Sequence, residues 1–84
     1  MRIYQKDLEA VAARLNKLIG IEEKVKYNTV GGFIIDHAYG GVSLHKIENG
    51  HGAVSDVFRC GHITKKELYY RINAFIDGIE YERK

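Results

Sequence analysis

Between Gln5 and Ile19 the apolar residues Leu8, Val11, Ala12, Leu15, Leu18 and Ile19 recur at the i, i+3, i+4, i+7 spacing of one helical face, with Glu9, Arg14 and Lys17 elsewhere. That spacing predicts an amphipathic helix. Asp7 stands where a carboxylate favours a helix start, and Gly20 follows the last periodic residue, where a left-handed residue ends a helix. From Lys24 to Phe58 the period drops to two. The runs Val25 to Val30, Phe33 to Tyr39, Val42 to Glu48 and Ala53 to Phe58 are rich in β-formers, and Gly31-Gly32, Gly40-Gly41 and Gly50 with Gly52 punctuate them. They read as strands of an antiparallel meander joined by hairpin turns. A glycine pair suits a turn or a bulge, so Val25 to Val30 is either a fourth strand or a continuation of the next.

The last segment opens with Thr64-Lys65-Lys66-Glu67, which has the form of a capping box, flanked by Ile63 and Leu68 at the positions of a hydrophobic staple. Leu68, Ile72, Phe75, Ile76 and Ile79 form an apolar stripe, with Arg71, Asn73 and Asp77 facing away. A helix is predicted from about Lys65 to Ile79, with Glu80 to Lys84 fraying. The whole reads as one α+β domain over residues 1–84, in the order α-β-β-β-α. Its sheet is a three-stranded meander, or four-stranded if the first run pairs, with both helices on one face, because each helix offers a single stripe that needs a partner.

Composition narrows the classes. The chain has 84 residues, 45% hydrophobic and 29% charged, with a net charge of +2, no proline and one cysteine. This is globular composition of a size that leaves no room for a second catalytic domain. The lone Cys60 makes no intramolecular disulfide, which favours a reducing, cytoplasmic setting. The longest aliphatic or aromatic run is Phe33-Ile34-Ile35 and the first residues carry no apolar targeting core, so no membrane association is expected.

Candidate chemistry depends on hairpin register. If Gly40-Gly41 is a two-residue loop, Asp36 lies opposite His45. Phe33, Ile35, Val42 and Leu44 then share the helix-facing side, while Ile34, Asp36, Ala38, Ser43, His45 and Ile47 form the other. A four-residue loop over Asn49 to Gly52 would bring Asp56 opposite His45 and complete a carboxylate–imidazole–carboxylate row; a two-residue Asn49-Gly50 turn would place Val54 there instead. Such a row suits a histidine acting as acid, base or pH sensor, or is simply a cross-strand charge pair worth about 0.2–1 kcal/mol. Cys60-Gly61-His62 with His51 and His45 could ligate zinc, but one cysteine and the lack of two tightly spaced ligand pairs argue against a metal. A nucleophilic Cys60 with His62 as base competes with the plainer reading of a small buried thiol. The glycine pairs lack the context of phosphate-binding loops, and no cofactor is expected. Lys65 and Lys66 occupy a first helical turn, where the macrodipole disfavours cations by about 0.3–1 kcal/mol each. With Arg59, His62 and Arg71 they outline a basic patch suited to phosphate or another acidic group, unless they are merely solvated lysines.

Two resemblances bear on function. The α-β-β-β-α order followed by Gly61-His62-Ile63-Thr64-Lys65-Lys66 resembles the double-stranded RNA-binding domain, with matches at Gly61, Thr64, Lys65 and Lys66, which implies lysine contacts to phosphates across a groove. The runs Phe33 to Leu44, Gly52 to Phe58, and Thr64 to Leu68 through Ala74 to Ile79 resemble a group of small, uncharacterised proteins encoded by bacteriophages and mobile elements. That likeness implies an accessory role in a bacterial cytoplasm, binding a host protein or nucleic acid. The expected function is therefore a non-enzymatic binding module for a host protein, acting through Asp36, His45 and Asp56 or through the basic helix start. The alternative is nucleic-acid binding by that start, and an enzyme centred on His45 is the third reading. An edge strand also leaves a homodimer open.

Overall fold

A computed structural model describes residues 2–21, 25, 26 and 28–83. Its elements are α1 (Gln5–Leu18), β1 (Phe33–Ala38), β2 (Gly41–Ile47), β3 (Val54–Asp56) and α2 (Lys65–Glu82). The strands form one antiparallel sheet in the order β1-β2-β3. The α-β-β-β-α order and the α+β class are those the sequence predicts. The Val25 to Val30 run, part of which lies outside the described residues, contributes no strand among those described. Described residues of the run form turns instead, in which the Thr29 N–H donates to Lys26 O and the Gly32 N–H to Thr29 O, both at 3.0 Å. Gly31 and Gly32 then both bond to Ile47 (2.8 and 2.9 Å), the two-against-one pattern of a bulge.

Both helices bury their predicted stripes on the same sheet face. Leu8, Val11 and Leu15 of α1 meet Leu68, Ile72 and Ile76 of α2 over Phe33, Val42 and Leu44. Phe75 packs edge-on between Phe33 and Phe58, with ring centroids 6.1 and 5.9 Å away. At the start of α1 the Asp7 carboxylate accepts from the Tyr4 N–H at 2.8 Å, and past its end the Ile21 N–H reaches back to Asn16 O at 2.9 Å. At α2 the Thr64 hydroxyl accepts from the Glu67 N–H (3.2 Å), the first half of the expected box, while the Glu67 carboxylate sits 3.9 Å from Arg71. The predicted fraying from Glu80 is corrected: α2 continues to Glu82, because Glu80 pairs with Arg14 at 2.9 Å and the Arg83 guanidinium donates to Leu18 O. These two contacts tie the last turn of α2 to α1.

Asn16 lies on the buried face of α1, and sequence periodicity gave it no role. Its amide donates to Phe33 O (3.0 Å) and accepts from Phe33 N–H (2.8 Å), standing in for a neighbouring strand at the start of edge strand β1. Without it both polar groups of a buried backbone unit would lose their partners.

The first hairpin differs from its predicted form. Its loop is Tyr39-Gly40, with φ of 55° and 74°. Two successive left-handed residues suit a type I′ turn and the right-handed twist of the strands. Asp36 therefore faces Ser43 rather than His45, and His45 faces Ile34. The shift is by two residues, so every side chain keeps its predicted face. The second loop is the four-residue Asn49 to Gly52, with His45 opposite Asp56.

Candidate functional site

The site is built by the segment between β3 and α2. Val57 N–H still bonds to Leu44 O at 3.0 Å, and Ile63 then exchanges two 2.8 Å backbone bonds with Val42. Phe58 to His62 thus loop out while the partner strand advances only past Ser43. The Asp56 carboxylate knits this loop together: Oδ1 accepts from the N–H groups of Phe58 (3.2 Å) and Arg59 (3.1 Å), and Oδ2 from that of Gly61 (3.0 Å). Arg59 and Gly61 take left-handed conformations, φ 53° and 73°, and so turn their amides inward as an anion-binding nest. Partial burial of Asp56 opposes its ionisation. The backbone bonds from Gly61 and Arg59, then the Ser43 hydroxyl and the Phe58 amide, outweigh it and hold the carboxyl below its ordinary value.

Alternation along the returning chain now fixes His62. Ile63 pairs with Val42 and packs into the core, so the side chain before it turns to the opposite face. There His62 Nε2 lies 2.7 Å from Asp36 Oδ2, with the imidazole side chain 19% exposed and the carboxylate 41%. The His62 ring also stands edge-on to His45 (6.1 Å, 62°) and to Tyr39 (5.9 Å). One ligand atom from each of Asp36, His45 and His62 falls within 4.8 Å of the others, and all three residues are half-buried. Ser43, the cross-strand partner of Asp36, is 1% exposed, and its hydroxyl is turned to the Asp56 carboxylate, which it helps to keep ionised.

Gly41 makes this assembly possible. A Cβ there would meet Ile63 O at 3.0 Å and the carbonyl carbon and Cβ of His62 at 3.1 Å. The second glycine of the Gly40-Gly41 pair thus serves close approach by the returning chain, and only the first serves the turn. Tyr39 is unexpected in the other direction: a large aromatic in a left-handed turn position, 98% exposed.

The sequence-predicted groups are redistributed. Of the row Asp36–His45–Asp56, Asp36 and His45 come together diagonally, while the Asp56 carboxylate is committed to its own loop. His62, assigned from sequence to the basic patch, takes the place expected for Asp56. The remaining basic residues lie exposed: Lys65 lines a groove of about 390 Å³ with His37, Gly40 and Gly41, and Arg71 is partnered by Glu67. Cys60, half-buried, has its Sγ 3.7 Å from Gly61 O, and is not in the His45–His62 group. A larger groove of about 820 Å³, between α1 and β1, contains none of these residues. The sequence signal for His62 was Ile63, whose apolar side chain must point inward and so sends its neighbour out. Among the described residues no helix is long and apolar enough to cross a membrane. Comparison with protein-family models, curated proteins and solved structures returns no match to this chain.

Proposed function

We propose that this chain is a small, non-enzymatic binding module whose working surface is the sheet face carrying Asp36, His45 and His62, with Tyr39 at its rim. The observation that carries the reading is the convergence of three polar side chains, from β1, β2 and the loop before α2, on a face that the helices leave uncovered. Arg59 in a left-handed conformation and a glycine at position 41 accompany the return of the chain that brings His62 there. Tyr39 supports the same reading. Asparagine or glycine would occupy its turn position at lower cost, and an aromatic ring so exposed offers contact area to a partner. A mixed surface of imidazoles, carboxylate and phenol fits a protein, taken here to be a host protein in the bacteriophage-like setting, better than it fits a phosphate backbone.

The second reading is nucleic-acid binding through the start of α2. What favours it is the exposure of Lys65 and Lys66 and the groove that Lys65 lines beside the β1–β2 turn. Against it, His62 is engaged by Asp36 and Arg71 by Glu67, leaving a smaller basic surface. Affinity capture from a bacterial lysate, with and without nuclease, separates the two. A nuclease-resistant partner lost on Asp36→Ala, His62→Ala and Tyr39→Ala, and retained on Lys65→Glu/Lys66→Glu, is the expected result. A nuclease-sensitive partner lost only on the lysine substitutions, with affinity falling steeply in salt, would replace the first reading by the second.

A further inference from the structure

Resting on the reading of this face as the working surface, we propose that Asp36, His45 and His62 form a binding site for a divalent first-row transition metal, with Zn²⁺ the best fit, in which one coordination position stays open. The donors are one carboxylate oxygen and two imidazole nitrogens, and they already lie within 4.8 Å of one another. Ligands held at about 2.0–2.2 Å from a tetrahedral Zn²⁺ are roughly 3.4 Å apart, so side-chain adjustments of about an ångström complete the set without moving the strands. The two histidine rings meet at 62° with centroids 6.1 Å apart, an arrangement that lets their nitrogens aim at a common point. The 2.7 Å contact between His62 and Asp36 keeps one donor pair preassembled, and coordination replaces that hydrogen bond.

The donor chemistry selects the metal: two imidazoles disfavour Mg²⁺ and Ca²⁺, which take oxygen ligands, and the absence of thiolate from the group disfavours Cu(I) and iron–sulfur clusters. Three protein ligands leave the fourth position of a tetrahedral ion to water.

Titration of the full chain with ZnCl₂ by calorimetry tests the site. One Zn²⁺ per chain is expected, weakened at least tenfold in each of Asp36→Ala, His45→Ala and His62→Ala. His37→Ala, His51→Ala and Cys60→Ser should stay within twofold of the wild type. Binding that survives His45→Ala/His62→Ala, or that depends on Cys60 or His51, overturns the assignment. Co²⁺ added to the unmodified chain gives a readout independent of variant folding: intense visible absorption of a four-coordinate ion supports the site, and the pale spectrum of the hydrated ion overturns it. If the unmodified chain binds no Zn²⁺ while partner capture is still lost in Asp36→Ala and His62→Ala, the metal falls and the surface reading stands. If Zn²⁺ binds through these three residues while capture is unchanged in their variants, the metal stands and the surface reading falls.

Discussion

Asp56→Ala isolates the device that holds the loop before α2. The substitution removes the acceptor of three backbone N–H groups, those of Phe58, Arg59 and Gly61. A bond to a charged acceptor contributes about 1.5–3 kcal/mol when water is excluded. Here only the Phe58 bond is partly buried, and water can replace the carboxylate at Arg59 and Gly61. Counting the first near the low end of that range and the other two at a fraction of it gives a loss of about 2 kcal/mol. In a domain of this size that lowers the melting temperature by roughly 8–16 °C. Without the carboxylate, Arg59 also has no reason to remain left-handed, so the loop relaxes and His62 leaves Asp36. The assay is urea unfolding of both proteins, paired with NMR of the histidine rings. Asp56→Asn should recover part of the loss, since its carbonyl still serves Phe58 and Arg59 while its amide faces the Gly61 N–H. The sign with pH follows from Asp56 being held below the ordinary carboxylate value of 3.8. The stability gap between wild type and Asp56→Asn is fully present above that value and closes as pH falls through the lower folded-state value. A loss under about 0.5 kcal/mol in Asp56→Ala, with the His62 resonances unmoved, would refute the reasoning.

Three other substitutions probe separate parts of the structure. Asn16→Ala strands the N–H and C=O of Phe33 and should cost about 2–4 kcal/mol by chemical denaturation, with early hydrogen exchange at the start of β1; a cost below 1 kcal/mol would mean that water replaces the amide freely. Gly41→Ala forces the His62–Ile63 backbone away from β2, and should destabilise by about 1–3 kcal/mol and weaken Zn²⁺ binding together; unchanged binding would show that His62 does not depend on that close approach. Tyr39→Asn suits the left-handed turn better and should raise stability by up to about 1 kcal/mol while weakening partner capture, so a variant both more stable and fully competent would remove Tyr39 from the surface.

Periodicity, with the end signals at Asp7, Gly20 and Thr64 to Glu67, located both helices, and their stripes of Leu8, Val11 and Leu15 and of Leu68, Ile72 and Ile76 lie in the core. It also assigned the sheet faces correctly despite a wrong hairpin register, since an error of two residues preserves alternation. The register itself was misread because Gly40-Gly41 has the composition of a turn, whereas Gly41 is small to admit Ile63 and His62 and Tyr39 tolerates the left-handed position instead. Asn16 escaped notice because a polar residue on an apolar stripe signals nothing until the strand it serves is in place. The end of α2 was set too early because Arg14 and Leu18, which hold it, lie more than sixty residues away in sequence. Half of the candidate site was legible: Asp36 and His45 were placed on one face, but the third partner depended on a five-residue excursion whose shape is set by the Asp56 carboxylate. Local pattern carries no record of such a long-range return.

The convergence of His62 on Asp36 and His45 is tested most directly by recording the ring ¹⁵N and Cδ2 proton resonances of all four histidines in the wild-type chain and in Asp36→Asn. The His62 ring should move strongly and that of His45 to a lesser degree, while His37 and His51, which are exposed and outside the group, should stay in place. A His62 ring indifferent to the substitution, or one that moves no more than His51, would contradict the site on which the proposed function and the metal assignment both stand.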